Sequence, residues 1–275
     1  VFLSKYAIMN YTSPPFVIGC KNLQELNSKF SSIAYTCKMS DIQDRLKLPE
    51  ELPPNVISLQ LSTKDYATCK ALNKDFIAEC KDGRFVVLNN VLAKLLRLQQ
   101  ITSGFCMAQT NPNETPEEEE LNSVKADALK DFLQGFSKEE KVVVFCKFKH
   151  DIASVQSVCD DLGLEVFELS GSANTFENWK KVEGGVIAVQ IQAGAEGIDM
   201  TCARVCVYYS LPHSLALYEQ SRARLRRPGQ NRKVLFSYLL CSGTIDELIY
   251  DTLANKRDLI ADVKSGNVDF GYMKK

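Results

Sequence analysis

The chain has 275 residues, 45% of them hydrophobic and 24% charged, which is enough for one large domain or two ordinary ones with a buried core. Its formal net charge of −1 does not indicate a polyanionic partner, so only a local cluster of basic residues could do that. The sequence shows no signal peptide and no apolar run of about 18 residues, and no membrane partner is expected.

Residues 1–108 are predicted to be mainly helical. Ser62, with Asp65 three residues further on, is typical of a helix N-cap. The alternating apolar residues of "VISLQL" (56–61) predict a strand, because the prolines before them exclude a helix. A second helix is predicted to end at Gly104. Its predicted apolar stripe consists of Leu88, Leu92, Leu95, Leu96 and Gln99.

The segment "QTNPNETPEEEELNS" (109–123) differs from its surroundings in composition. It contains two prolines, five glutamates and no basic residue. Such a composition predicts an acidic, solvated linker or long loop between two parts of the chain. An acidic binding tail is the alternative interpretation.

From residue 124 to 243 short apolar runs alternate with helical patterns, which predicts a parallel sheet covered by helices on both faces. A closing helix and tail follow at 244–275, and Thr244 and Glu247 form a capping box at its start. Ligands of such sheets bind at the carboxyl ends of the strands. The predicted strands are 141–146, 165–169, 185–190, 204–209 and 233–240, and the predicted helices are 124–135, 149–162, 174–181 and 214–226.

Ten cysteines and two histidines are present, without a C-x-x-C pair. Several cysteines lie in apolar strand-like runs such as "VVVFC", which indicates small buried side chains in a reducing compartment. A disulfide framework or a zinc site stays open as the alternative, and no metal site is predicted.

A glycine-containing loop follows the third of these strands. In "IQAGAEGIDMTCA" (191–203), Gly194 and Gly197 allow close approach of a ligand to the backbone, and Asp199 lies two residues further on. Clustered glycines after a strand often bind phosphate through backbone N–H groups. An ordinary tight turn explains the same pattern.

The stretch "EQSRARLRRPGQNRK" (219–233) has six basic residues and one acid. If 214–226 is helical, Gln220, Arg224 and Arg227 lie on one face, and the Pro-Gly pair that follows ends the helix. Arginine binds phosphate with two parallel hydrogen bonds, so the cluster indicates a phosphate ligand. We expect triphosphate and nucleic acid to meet at this same edge of the sheet, although a solvated basic surface is the simpler alternative.

These motifs resemble those of superfamily-two helicases. "AGAEGIDMTCA" (193–203) resembles motif V, and "QSRARLRRPGQ" (220–230) resembles motif VI, usually written Q-A-x-x-R-x-H-R-x-G-Q. "KVVVFCKFKHDI" (141–152) is similar to motif IV, and "ELSGSA" (168–173) to the G-x-[TS] element between motifs IV and V. The stretches "RLKLPEELPPNVISLQLS" and "LLRLQQITSG" resemble the helical region that joins the lobes of Swi/Snf-type DNA translocases, especially bacterial and phage-associated members. The resemblance implies a RecA-like three-layer fold for the second lobe.

The resemblance also implies roles for single residues. Arg224 and Arg227 match the two motif VI arginines that reach the γ-phosphate of ATP and act in catalysis. The positions that match nucleotide-binding ones are Gln220, Gly197 and Asp199. The positions that match nucleic-acid-binding ones are Lys147, Gly171, Ser172, Gln192, Ala193 and Gly194. Arg226 departs from the pattern, since it stands where motif VI commonly has His.

The sequence contains no G-x-x-x-x-G-K-[ST] motif and no D-E-x-H box, both of which ATP hydrolysis by such enzymes needs. We interpret Val1 as the cut end of a longer protein whose upstream lobe holds most of the ATP and Mg contacts. This chain alone is then expected to be inactive, and its partners are that lobe and double-stranded DNA. The expected location is the cytoplasm, at a nucleoid or phage, or the nucleus of a eukaryote.

Two other functions remain open. A non-catalytic nucleic-acid-binding module could use the same basic residues without a partner lobe. A free-standing nucleotide-binding enzyme, of the glycosyltransferase or dinucleotide type, is disfavoured because G-x-G-x-x-G is absent.

Overall fold

The computed structural model describes residues 2–10, 16–34, 45–70, 87–108, 117–121, 123–193, 197–257 and 259. The chain divides into two compact units, Val1–Lys47 and Leu48–Lys275. None of the helices in these described ranges is long and apolar enough to cross a membrane.

The first unit contains a small antiparallel hairpin between two helices. Its elements are α1 (Phe2–Tyr6), β1 (Ala7–Asn10), β2 (Phe16–Cys20) and α2 (Leu23–Ser31). Strands β1 and β2 pair with a register shift between Ile8 and Met9. The sequence patterns did not predict this hairpin, because its strands are only four and five residues long.

The second unit is built on a six-stranded sheet in which every pairing is parallel. The strands lie in the order β3-β10-β9-β6-β8-β7. A separate antiparallel pair, β4 with β5, lies outside this sheet. The bounds of the strands are β3 (Asn55–Leu59), β4 (Phe105–Ala108), β5 (Glu117–Glu120), β6 (Lys141–Cys146), β7 (Val166–Leu169), β8 (Gly185–Gln190), β9 (Val205–Tyr208) and β10 (Leu235–Cys241).

Helices cover both faces of this sheet and enclose two apolar clusters. Val143 and Phe145 of β6 belong to one cluster, and Val142 and Val144 belong to the other, because successive side chains of a strand point to opposite faces. The predicted three-layer parallel sheet is therefore confirmed. The helices are α3 (Val87–Thr102), α4 (Val124–Gln134), α5 (Lys149–Leu162), α6 (Phe176–Lys181), α7 (Leu215–Leu225) and α8 (Ile245–Ala254), and residues 63–70 are also helical.

The N-terminal half of this unit shares a core with the predicted lobe. Strand β3 pairs along β10, and α3 packs against α8. For this reason the compact unit begins at Leu48, and the division does not fall at the predicted linker 109–123. Part of that linker, Glu117–Glu120, is a strand paired with Phe105–Ala108. Residues 109–116 and Asn122 lie outside the described residues.

Local helix signals account for two of the helix ends. Ser62 Oγ accepts a hydrogen bond from the backbone N–H of Asp65 at 3.1 Å, as predicted for an N-cap. Thr244 caps α8 through the N–H of Asp246, while Glu247 accepts from the N–H of Gly243 at 3.0 Å.

The predicted stripe of α3 is correct only in part. Leu95 and Gln99 are buried, but Leu96 is 38% exposed, because the buried face continues through Leu98 and Ile101. The side chains of Leu88 and Leu92 lie outside the described residues.

The cysteines that the structure describes are all free, and most are buried. Among the described residues, no group of three or more His, Cys, Asp or Glu is placed to hold a metal ion. Burial raises the pKa of the Cys69 and Cys159 thiols to about 12, so both stay protonated near neutral pH.

Candidate nucleotide and nucleic-acid interface

The predicted site residues fall into two groups at opposite ends of the parallel sheet. Lys147 follows β6, Gly171 and Ser172 follow β7, and Gln192 follows β8, so these residues lie at the carboxyl ends of the strands. Gly194 lies outside the described residues.

Arg224 and Arg227 lie at the other end, close to where β9 and β10 begin. The carbonyl of Arg224 accepts a hydrogen bond from Met200 N at 3.1 Å. Gln230, three residues after Arg227, donates from Nε2 to the carbonyls of Thr201 and Ala203 at 2.8 Å each, just before β9. The residues predicted to bind triphosphate and those predicted to bind nucleic acid therefore lie at different ends of the sheet, and the ligand of each group stays a prediction. Helix α7 starts after β9 and runs back to the start of β10, which carries the arginines across the layer.

Most basic side chains of the arginine cluster are neutralised by carboxylates. Arg227 is exposed and, within the described part of the chain, forms no ion pair. The ion pairs are Arg222 with Glu51, Arg226 with Glu51 at 3.5 Å, Arg232 with Glu140 at 3.2 Å and Lys233 with Glu50 at 2.9 Å. Arg227 can therefore receive an external anion without breaking an ion pair to any described residue.

Asp199 remains ionised beside these arginines. Partial burial raises the pKa of Asp199, but hydrogen bonds from Thr201 and the positive charge of Arg227 outweigh it, and the pKa is lowered overall. Thr201 N donates to Asp199 Oδ1 at 3.0 Å and fixes the carboxylate. Gly197 precedes it with a φ of 55°, a left-handed conformation that favours glycine. Gln220 is exposed on α7, without a described contact to this carboxylate.

At the carboxyl ends, the turn after β7 lies at the surface, and its backbone N–H groups are held by the side chains of Gln190 and Ser170. Gly171 and Ser172 are exposed, and Gln192 is exposed on the neighbouring strand end. The N–H of Gly171 donates to Gln190 Oε1 at 3.2 Å, which ties this turn to β8. Ala193 is half-buried. The structure thus brings Gly171, Ser172 and Gln192 to neighbouring strand ends, where an extended polyanion can reach them.

Lys147 points inward. Its Nζ donates to Gln99 Oε1 at 2.6 Å and lies 2.9 Å from His213 Nε2. Burial lowers the pKa of Lys147 to about 7, although nearby Asp151 and Asp246 oppose this. Burial also lowers the pKa of His213 well below its usual range, and the charge of Lys147 adds to the effect. The role of Lys147 in nucleic-acid binding stays a prediction.

Sequence reasoning missed a buried charged cluster next to Lys147. Lys125 Nζ lies 2.7 Å from Asp246 Oδ2, with side chains only 1% and 3% exposed. Asp151 is also buried, and its Oδ2 accepts from the backbone N–H groups of Lys147 and Phe148. No local pattern marks Lys125, because its partner is distant in sequence. His213 offered a signal, since it follows the carboxyl end of β9.

Arg222 was read as one more basic residue of the cluster, but its environment is aromatic. Nη1 donates to Tyr238 Oη at 2.7 Å and to Tyr218 Oη at 3.3 Å. The guanidinium carbon lies 4.1 Å from the centroid of the Phe236 ring. The spacing of Tyr218 and Arg222, four residues apart on a predicted helix, was the available signal.

Comparison with known proteins agrees with these motifs. Residues 124–229 match the family described as helicase conserved C-terminal domain. The SWI/SNF-related matrix-associated actin-dependent regulator of chromatin subfamily A-like protein 1 of Drosophila melanogaster is 28% identical over 152 residues, which are 51% of this chain and 20% of that protein. An uncharacterized ATP-dependent helicase of Mycoplasma pneumoniae is 23% identical over 189 residues, 66% of this chain and 18% of that protein.

Solved structures show the same fold. The SWI2/SNF2 ATPase core of Sulfolobus solfataricus in complex with dsDNA superimposes with a TM-score of 0.56 at 22% identity, over 89% of this chain and 52% of that chain. The sheet and its helices thus have a RecA-like fold, and residues 124–229 within them are similar to the helicase conserved C-terminal domain. The relatives that this chain resembles include a SWI/SNF-related protein and an ATP-dependent helicase. The chain spans about a fifth of the length of those two curated relatives.

Proposed function

We propose that this chain supplies the second motor lobe of an ATP-dependent translocase on double-stranded DNA. In this proposal Arg227 and Arg224 contact the phosphates of ATP bound against a first lobe. The strand-end residues at the opposite end of the sheet contact the DNA backbone. The observation that carries the proposal is that Arg227 is exposed and forms no ion pair among the described residues, while Arg222, Arg226 and Arg232 of the same cluster pair with carboxylates.

The role of Arg227 follows from its charge and position. A guanidinium that already holds a carboxylate must lose that partner before it can hold a phosphate, whereas Arg227 has no such ion pair among the described residues. As negative charge spreads over the transferring phosphoryl group, an arginine in this role accelerates hydrolysis roughly a thousand- to hundred-thousandfold. Arg224, Gln220 and Asp199 would line the same nucleotide contact.

The residues of this chain suit the phosphates of ATP better than its metal. The charge of Arg227 helps to lower the pKa of Asp199, and no cluster of ligands among the described residues could hold Mg. We therefore assign Mg, and the lysine that binds the terminal phosphates, to a first lobe of the same protein. On this proposal the chain alone does not hydrolyse ATP.

The DNA contacts are proposed for the turn after β7 and the loop after β8. Gly171, Ser172 and Gln192 are exposed there, where a phosphate can reach their polar groups. Contacts to phosphate release counterions, so binding weakens steeply as salt rises. Because the two sites lie at opposite ends of one rigid sheet, closure of the lobe over ATP would also displace its DNA contacts.

DNA-stimulated ATP hydrolysis by the full-length protein tests the proposal. We expect Arg227→Ala to lower kcat at least about a hundredfold with the fold intact, because an arginine finger is worth roughly 10³–10⁵ in rate. Arg232→Ala is the matched control, since that arginine is partly exposed and already paired with Glu140, and its kcat should stay within about twofold of the parent.

If the kcat of Arg227→Ala equals that of the parent, the catalytic role of Arg227 is wrong. The non-catalytic nucleic-acid-binding module would then account for the arginine cluster, provided that the protein binds DNA tightly without any effect of ATP.

A further inference from the structure

Arg222 and Glu51 join the end of α7 to a distant part of the chain. Besides its tyrosine contacts, Arg222 places Nη2 against Glu51 Oε1 in an ion pair. The second oxygen of the same carboxylate lies 3.5 Å from Arg226 Nε. One carboxylate thus holds two arginines that lie on either side of Arg224.

The backbone around Glu51 is fixed to the strand that follows the arginine loop. Glu51 forms a parallel bridge with Val234. Leu52 N donates to the carbonyl of Val234, and Val234 N donates to the carbonyl of Glu50, both at 2.9 Å. The carboxylate of Glu51 therefore projects from a point that cannot move independently of the start of β10.

These contacts close a ring around the segment that carries Arg227. The ring runs from Arg222 in α7 through Glu51 to Val234, and back along the loop that contains Arg227. Inside the ring, Gln230 N donates to the Arg227 carbonyl at 3.2 Å, and Arg227 N donates to the Leu225 carbonyl at 3.1 Å. The loop is thus held at both ends and in its middle.

The surroundings of Arg222 make this anchor rigid. Its side chain is 18% exposed, and the Glu51 side chain is 27% exposed. Tyr208 and Tyr238 stack at 5.2 Å between centroids, and Tyr218 Oη and Tyr238 Oη lie 2.7 Å apart. Shielding from solvent strengthens such an ion pair, and a planar fork held by two hydroxyls and a carboxylate has little rotational freedom.

We propose that Glu51 and Arg222 are positioning residues that set the location of Arg227. Neither residue contacts the phosphates themselves. The inference rests on the proposed function, because it assigns to the ring the placement of the arginine that acts on ATP. It adds a role for the segment before β3, which lies outside the region that matches the helicase C-terminal domain.

The test compares Glu51→Gln with Glu50→Gln in DNA-stimulated ATP hydrolysis by the full-length protein. Glu50 is the matched control, since it is the adjacent residue and its ion pair with Lys233 is exposed. We expect Glu51→Gln to lower kcat about tenfold, because a displacement of about 1 Å in a catalytic group costs up to about a hundredfold. The KM for ATP should change less than about twofold, because the lost interaction belongs to the transition state. Glu50→Gln should match the parent.

A double variant separates positioning from general loss of structure. Once Arg227 is absent, its placement has no effect, so Glu51→Gln with Arg227→Ala should be no slower than Arg227→Ala alone. Losses that multiply in the double variant, or a kcat of Glu51→Gln equal to that of Glu50→Gln, overturn the inference. If Glu51→Gln does not fold, Glu51→Asp replaces it, because Asp keeps the negative charge. The comparison with Glu50→Gln and the double variant with Arg227→Ala are then made with Glu51→Asp.

The two proposals fail in different ways. If Arg227→Ala keeps the parent rate, the proposed function is wrong. If Arg227→Ala lowers kcat while Glu51→Gln keeps the kcat of the parent, Arg227 acts on ATP as proposed and only the positioning role of Glu51 and Arg222 is wrong.

Discussion

Near the arginine loop the ion pair of Lys233 is exposed, whereas at the other end of the sheet Lys125 is fully buried and Lys147 points inward. The Lys233–Glu50 pair near the arginine loop is 59% and 63% exposed, but the Lys125–Asp246 pair is 1% and 3% exposed. The same type of interaction therefore has a different energetic role in each region. The exposed pair belongs to the surface of the lobe, and the buried pair is part of its internal structure.

The largest expected effect is on the enclosed pair. Lys125→Met leaves the Asp246 carboxylate buried without its cation, which should lower the free energy of unfolding by about 3–5 kcal/mol. Lys233→Met is the matched control and should change it by less than about 1 kcal/mol, because its ion pair is exposed. Urea denaturation of both variants measures the difference. Equal losses in the two would remove the distinction between the regions.

The second effect is a dependence of the free energy of unfolding on pH, caused by Lys147. Its pKa is about 7 in the folded protein against 10.5 as the reference value, so between pH 7 and 10 the unfolded chain binds more protons. The stability of the parent should therefore rise with pH across this window relative to Lys147→Met, by at most about 4 kcal/mol at 1.36 kcal/mol per pH unit. Urea denaturation at pH 7, 8, 9 and 10 checks this. If the difference in the free energy of unfolding between the parent and Lys147→Met does not change with pH, the Lys147 amine is charged in the folded protein throughout this range.

The smallest effect is expected at the strand ends. Ser172→Asp places a negative charge where the proposal puts a DNA phosphate, and should weaken DNA binding by the full-length protein about tenfold at low salt. Asn178→Asp adds the same charge at an exposed position of α6 and should weaken binding much less. Titration of a fluorescent duplex at two salt concentrations measures both. Equal weakening by the two variants would mean that only the net charge of the lobe matters.

The sequence predicted what depends on local chemistry. The five strands of the lobe were found because strands buried on both faces are nearly continuous apolar runs. The Ser62 cap was found because its donor and acceptor lie three residues apart.

What was missed depends on partners that are far apart in the chain. The inward direction of Lys147 is decided by Gln99 and His213, which are 48 and 66 residues away. The pairing of Arg222 with Glu51 spans 171 residues. The placement of the arginines at the amino ends of the strands required knowing how far α7 runs back across the sheet. A pattern of residue types cannot supply such distances.

Strand β3 has a consequence for synthesis on the ribosome. Asn55 pairs with a strand whose matching residue, Ser237, lies 182 positions later. At about 5–20 residues per second, β3 emerges roughly 10–35 s before its neighbour exists. During that interval the hydrogen-bonding groups of β3 have no strand to pair with in the six-stranded sheet, so this edge is exposed to other chains. We expect the nascent N-terminal part of this protein to need protection against aggregation until β10 is made.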